Sequence, residues 1–182
     1  MRRSPSPAEA RVTIERRVAD VFHFYRDFQN LPRFLGDVMA SEQVGPATFR
    51  WTIRGPLGVR LSSTVRLTEE RTNELLRYET TTPPGMRTHW TVEFRPGSEP
   101  GRTEVHEVLK TPFGRLGRLA LTLVGKPPGA EVAANLRRLK QLLETGEVTD
   151  TEHAVAGKFG RPAVGDRRCG PGWPQSSSRG PS

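Results

Sequence analysis

In the stretch Thr103-Glu104-Val105-His106-Glu107-Val108-Leu109-Lys110, strand alternation puts Glu107 on the same side as Val105 and Leu109. If that side faces a core, a carboxyl is buried, and burial favours its neutral form unless a cation or hydrogen-bond donors compensate. A carboxyl that keeps its proton near neutral pH suits ligand polarisation or proton transfer, so Glu107 is the candidate catalytic residue. Two plainer outcomes compete: a bulge that turns the side chain to solvent, or an arginine that neutralises it. Tyr25 and Tyr78 carry hydroxyls able to donate to a carbonyl-bearing guest, with a hydroxyl satisfied inside the core as the ordinary alternative. The four histidines do not join them. His89 and His106 have the opposite parity to their apolar neighbours, His23 falls on a helix surface, and His153 lies near the C-terminus.

No stronger constellation is present. The chain has no phosphate-cradling glycine loop, no Gly-x-Ser-x-Gly elbow and no His-Glu-x-x-His motif. One cysteine, Cys169, cannot form an internal disulfide or a cysteine-based zinc site, so neither metal nor cofactor is expected. No apolar run approaches the ~18 residues of a membrane-spanning helix. The start, Met1-Arg2-Arg3-Ser4-Pro5-Ser6-Pro7, lacks the apolar stretch of a secretory signal. A reducing cytoplasm is the expected setting.

The aromatic residues add a binding surface. Phe49, Trp51 and Ile53 share one strand face, Leu76, Tyr78 and Thr80 a second, and Thr88, Trp90, Val92 and Phe94 a third. Most such side chains fill a core. Facing a helix, they also line a concave apolar site with a few polar handles. The candidate ligand-binding set is Phe28, Phe34, Trp51, Tyr78, Trp90, Val92, Glu107, Leu109 and Leu136. Phe28, Phe34 and Leu35 are expected at its entrance.

The chain of 182 residues, 34% apolar before its 18 glycines are added, has room for one domain with a sizeable core. Residues 1–9 and 148–182 are Ser/Pro-rich or Gly/Pro/Ser/Arg-rich and are expected to be disordered, leaving a domain at 10–147. Residues 11–16 alternate as a strand. Val21, Phe24, Tyr25 and Phe28 then recur at helical spacing. Asn30-Leu31-Pro32 stops that helix, and residues 31–35 form a short second turn. Strand-like segments follow at 38–45, 48–54, 57–69, 73–82, 87–95 and 102–111, separated by Gly, Pro and Asn turns. Residues 115–124 predict a short apolar helix. Residues 130–145 predict a long one, with Val132, Leu136, Leu139 and Leu143 on its stripe and Arg137, Arg138, Lys140 and Glu144 elsewhere on its surface. The class is α+β: an antiparallel sheet with one face wet and the other covered by the long helix.

Val18-Ala19-Asp20-Val21-Phe22, Phe24-Tyr25-Arg26-Asp27-Phe28 and Asn30-Leu31-Pro32-Arg33-Phe34 resemble the opening of the SRPBCC, or START-like, superfamily. Trp51 through Gly55-Pro56, the Glu70-Arg71 to Asn73-Glu74 turn and Leu139 through Glu147 are similar to its bacterial polyketide cyclase/dehydrase group, related to coenzyme-Q-binding START-domain proteins. The resemblance spans about residues 10–147. It implies a helix-grip fold: seven antiparallel strands wrapped around a C-terminal helix, enclosing an apolar ligand cavity. Three functions remain open. The leading one is a non-enzymatic module that binds a lipid, quinone or polyketide-like aromatic. The second is a cyclase/dehydrase using the same cavity, with Glu107 or a tyrosine handling protons. The third is a basic surface touching membrane phosphates or nucleic acid, prompted by 28 Lys plus Arg against 20 Asp plus Glu, a net charge of +8. That excess is spread along the chain, so nucleic acid is the weakest reading and peripheral membrane contact stays open. The sequence leaves the oligomeric state open.

Overall fold

Short turns between alternating segments force antiparallel neighbours, and the chain follows that constraint from its second strand onward. A computed structural model describes residues 8–54, 58–82, 86–111 and 128–159. The elements are β1 (Ala8–Ile14), α1 (Val18–Arg26), a 3-10 helix (Phe28–Arg33), β2 (Val38–Gly45), β3 (Thr48–Arg54) and β4 (Arg60–Arg71). Then come β5 (Leu75–Thr82), β6 (Met86–Pro96), β7 (Thr103–Lys110) and α2 (Pro128–Thr145). All seven strands form one antiparallel sheet in the order β1-β7-β6-β5-β4-β3-β2. The β4–β5 turn is tight enough to hold Asn73 in the left-handed region at φ 62°, a conformation asparagine tolerates.

Because β1 and β2 occupy opposite edges, α1 and the 3-10 helix must carry the chain across the inner face. They bury Val21, Phe22, Tyr25, Phe28 and Leu31 as they do so. The long helix α2 lies against β1 and β7 and buries Val132, Leu136 and Leu139. Alternation then sorts the sheet. Phe49, Trp51, Val65, Leu76, Tyr78, Val92, Phe94 and Val105 point inward, while Arg50, Arg66, Arg77 and Arg87 stand exposed on the outer face.

Three features differ from the sequence reading. The first strand begins at Ala8, paired with Leu109, rather than at residue 11. Arg138, expected on the surface of the long helix, is fully buried. The third difference explains the second: the domain does not end at 147. Residues 148–159 fold back along α2, with Val148 against the main core. Gln141 accepts from the backbone of Thr149 and Asp150, and Arg137 pairs with Asp150 at 2.9 Å and Glu152 at 2.7 Å. Polar, glycine-containing sequence looked too poor in apolar residues to order itself; here backbone carbonyls ordered by buried cations supply the difference.

Arg138 is the knot. Its guanidinium donates to the Phe34 carbonyl at 2.7 Å, the Glu152 carbonyl at 2.6 Å and Asn135 Oδ1 at 2.5 Å. Asn135 Oδ1 also accepts from the Gly36 backbone at 3.0 Å, and the Val155 amide reaches the Gly36 carbonyl at 3.0 Å. A side chain at position 36 would put its Cβ 2.6 Å from the His153 carbonyl oxygen, so glycine is required there by close approach. Lys158 Nζ donates to the carbonyls of Leu35 and Val38. The expected helix at 115–124 and the expected disorder of residues 1–7 and 160–182, including Cys169, lie outside the described residues.

Replacing Arg138 by Ala strands the buried Phe34 carbonyl and removes a charged donor from the part-buried Glu152 carbonyl and from Asn135 Oδ1, which keeps the Gly36 amide. Hydrogen bonds to charged groups contribute about 1.5–3 kcal/mol each, so Arg138→Ala is expected to cost at least about 3 kcal/mol in urea denaturation. Limited proteolysis of the variant should then cut within 147–159 first. Retained stability with an uncut segment would show that the knot is dispensable.

Candidate functional site

Glu107 sits on β7 opposite Ala10 of β1 and Val92 of β6. The register of β7 runs without a shift on both sides, so no bulge turns the side chain outward. It is fully buried, and neither carboxylate oxygen has a hydrogen-bond partner. No arginine pairs with it among the described residues. Burial therefore governs its titration and pushes the carboxyl up to about 8. The Tyr25 hydroxyl opposes that shift, close enough to favour the ionised form although outside hydrogen-bond geometry. The charge of Glu131, in the first turn of α2, adds to the rise.

Tyr25 comes from α1 and Tyr78 from β5, and their hydroxyls meet at 3.2 Å. Burial first, then the nearby Glu107 charge, lifts both phenols well above their usual range, so both stay neutral. One O–H bonds the other ring's oxygen; the second proton has no protein acceptor in that pair. Tyr78 stacks on Trp90 with ring centres 5.8 Å apart and planes 7° from parallel. Its edges meet Phe28 at 5.1 Å and Trp51 at 6.0 Å. Trp90 Nε1 donates to Thr88 Oγ1 at 3.2 Å, and Thr88 in turn bonds Thr80. Trp51 Nε1 is buried without an acceptor.

The buried apolar residues fall into two groups. The larger includes Phe28, Phe34, Trp51, Tyr78, Val92, Val105 and Leu136. The smaller holds Ala8, Leu109 and Val132, and Ala10 and Trp90 border both. Glu107 lies between Val105 and Leu109 on β7, at the division. An uncommitted carboxyl, a tyrosine pair and an indole N–H thus stand in an otherwise apolar interior.

The structure places Trp51, Tyr78, Trp90, Val92, Glu107 and Leu109 on the inner side of the sheet, with Leu136 on α2 in the same core as Trp51, Tyr78 and Val92. Phe28 and Phe34 are corrected in role: both are completely buried in the larger group, with Leu35 beside them, and none forms a rim. They are held there because α1 and the 3-10 helix press that side of the chain onto the sheet. His23 and His89 are exposed, and His106 lies outside the core between Glu9 and Glu93. Sequence reasoning missed the unpaired Trp51 indole and the Tyr25–Tyr78 contact. Helical spacing put Tyr25 on the apolar stripe, yet nothing local could pair it with a strand 53 residues away. A depression of about 240 Å³ on the outer face is lined by Arg71, Glu74, Leu75, Glu93 and Arg95 and includes none of the candidates. Among the described residues, no group of three His, Cys, Asp or Glu converges as a metal site.

A profile of the polyketide cyclase/dehydrase and lipid transport family matches residues 8–144. The chain belongs to that family. Its seven antiparallel strands and C-terminal helix are the family's helix-grip fold. Solved structures share the fold at low identity. A Deinococcus radiodurans protein is 23% identical, with TM-score 0.59 over 78% of this chain and 99% of its own. XoxI from Bacillus cereus is 17% identical, with TM-score 0.60 over 76% of this chain and 95% of its own. DynU16, encoded in the dynemicin biosynthetic locus, is 16% identical, with TM-score 0.58; 80% of this chain matches 50% of that one. No curated protein matches. No helix among the described residues is long and apolar enough to cross a membrane.

The carboxyl's titration has a stability consequence with a definite sign. Between about 4.5 and about 8 the unfolded chain releases the Glu107 proton while the folded chain keeps it. The stability tied to that proton is complete below the lower value and falls through the window by about 1.4 kcal/mol per pH unit. Glu107→Gln removes the effect. Urea denaturation across the window should show the wild type losing stability relative to the variant as pH rises. A difference that does not change with pH would mean that the carboxyl is ionised and paired.

Proposed function

We propose that the inner side of the sheet, at Glu107, Tyr25, Tyr78 and Trp51, binds a small, largely apolar molecule bearing a carbonyl or hydroxyl group. The observation that carries this reading is the surplus of buried hydrogen-bonding groups to which the protein supplies no partner. A neutral Glu107 carboxyl and the Trp51 indole are donors without acceptors. Left unmatched, each buried group costs about 1–3 kcal/mol, so a guest that supplies acceptors recovers what the folded chain forgoes. Phe28, Trp51, Tyr78 and Trp90 present ring faces and edges for a flat guest. The family's description as cyclase/dehydrase and lipid transport agrees with an apolar cargo. Candidates of that chemistry are a lipid, a quinone or a polyketide-like aromatic. The single cysteine, Cys169, supports a reducing, cytoplasmic setting.

A second reading has its own observation. A carboxyl that titrates at about 8 beside a neutral tyrosine pair is poised both to give and to take a proton near physiological pH. That arrangement suits an enzyme of the cyclase/dehydrase type, with Glu107 as general acid or base and Tyr78 holding the carbonyl oxygen.

Binding is tested by quenching of tryptophan fluorescence with naphthoquinone and naphthalene as matched probes. The quinone should bind at least about tenfold more tightly, a difference of about 1.4 kcal/mol. Glu107→Leu and Tyr78→Phe should erase the preference while sparing naphthalene. Equal affinity for the two probes in the wild type would defeat the reading. Native mass spectrometry of freshly purified protein gives the natural guest directly. Turnover of a polyketone whose rate breaks near pH 8 and vanishes in Glu107→Gln would favour the enzyme.

A further inference from the structure

The tip of the β3–β4 hairpin carries a combination that folding alone does not call for. Arg54 and Arg60 are directly opposite each other across the two strands. Like charges in that position repel and weaken a hairpin. Elsewhere on the outer face Arg50, Arg66 and Arg77 are neutralised by Glu42, Glu79 and Glu69, whereas Arg87 has no ion pair among the described residues. Arg54 and Arg60 have no ion pair among the described residues. The Arg54 amide bonds the Asp37 carbonyl, but the Asp37 carboxylate acts on Lys158 and Arg138 instead.

The same tip is where apolar side chains meet solvent. Four large apolar residues stand exposed among those described, and three of them gather here: Met39 at 40%, Val59 at 54% and Leu61 at 36%. Leu61 pairs with Ile53 in the rung next to Arg54 and Arg60. Met39 lies at a register shift of β2 beside the same end of β3, between Val38, opposite Ile53, and Ala40, opposite Thr52. Gly58, at φ 77°, gives the backbone the left-handed turn that leads into Val59. Arg54 and Arg60 stand on the outer side and Leu61, opposite Ile53, on the inner side, so guanidiniums and aliphatic side chains flank this end of the hairpin from its two faces.

We infer that this tip, Arg54 and Arg60 with Met39, Val59 and Leu61, docks the protein onto an anionic lipid bilayer. Guanidiniums bind headgroup phosphates through paired hydrogen bonds. Aliphatic side chains gain by shallow burial at the acyl boundary, and a negative leaflet draws basic residues to its surface. Each partner offsets a cost that the free hairpin bears: repulsion between the arginines, and apolar area in water. Nucleic acid matches only the charge. Its unpaired strands are gripped by aromatic stacking and its grooves by polar base-edge contacts, whereas the neighbours here are aliphatic. The inference stands apart from what the interior holds. If both hold, docking brings the interior site to a membrane where an apolar guest would be stored or delivered.

Flotation of the full chain with vesicles decides it. Vesicles of equal parts phosphatidylcholine and phosphatidylglycerol should carry the protein, phosphatidylcholine alone should not, and added salt should release it. Arg54→Gln and Arg60→Gln should each weaken binding about fivefold. The Val59→Ser/Leu61→Ser double variant should weaken it at unchanged charge, which a purely electrostatic contact would not do. The melting temperature of Arg60→Gln should stay level or rise, because a repulsion is removed, so loss of binding cannot be ascribed to unfolding. The inference is overturned if the arginine variants float like the wild type. It is equally overturned if neutral vesicles bind as well, or if duplex DNA displaces the vesicles and binds the double serine variant undiminished.

Discussion

A fully buried carboxyl with no cation to pair it and no hydrogen bond to either oxygen is the constraint around which the inner side of this sheet is arranged. Burial withdraws Glu107 from solvent and no described arginine neutralises it, so the proton remains on the group well above the usual carboxylate range. That single outcome sets the polarity of its surroundings. It leaves hydrogen-bond capacity unspent beside two phenols that burial keeps neutral, at the place where the buried apolar residues divide into two groups. A leucine at this position would join Val105 to Leu109 in one continuous core. The family's architecture, a bent sheet closed by a helix, tolerates the exception because stability is gathered elsewhere.

Elsewhere means the far side of α1 and the foot of α2. There Phe22 meets Phe94 edge to face, and Arg138 ties three stretches of chain through two carbonyl oxygens and Asn135 Oδ1. The two regions divide the labour. One is closely satisfied, with every described donor of the arginine engaged; the other retains open valences near Glu107. Sites that bind or react are commonly drawn from the less satisfied part of a fold, where binding has something to gain.

Much of this was legible in the sequence because alternation and helical spacing are local signals. Strands at 38–45 and 48–54 could be bounded to the residue, and the inward parity of Glu107 followed from Val105 and Leu109 alone. Two kinds of information were not local. The Tyr25–Tyr78 contact depends on how α1 crosses the sheet. The folding back of residues 148–159 depends on carbonyls at Phe34, Leu35 and Val38, more than a hundred positions away, which no composition rule for that polar segment could register. Arg138 was misplaced for the same reason: two of its three partners are backbone carbonyls, and backbone atoms leave no trace in residue type. Phe28 and Phe34 were recognised as apolar and near the site, but their depth was set by the crossing of the 3-10 helix rather than by their own spacing.

The placement of β1 at an edge has a temporal side. Its neighbour is β7, so Ala8 meets Leu109 and Ile14 meets Thr103. As the chain is synthesised, β1 has no lasting mate until almost a hundred further residues have emerged. Closure between such distant stretches carries a high entropic toll and tends to be slow. The hairpins from β2 to β6 can zip in order while the beginning waits. The pairing of β1 with β7 is therefore expected to come late, with α2 settling across both.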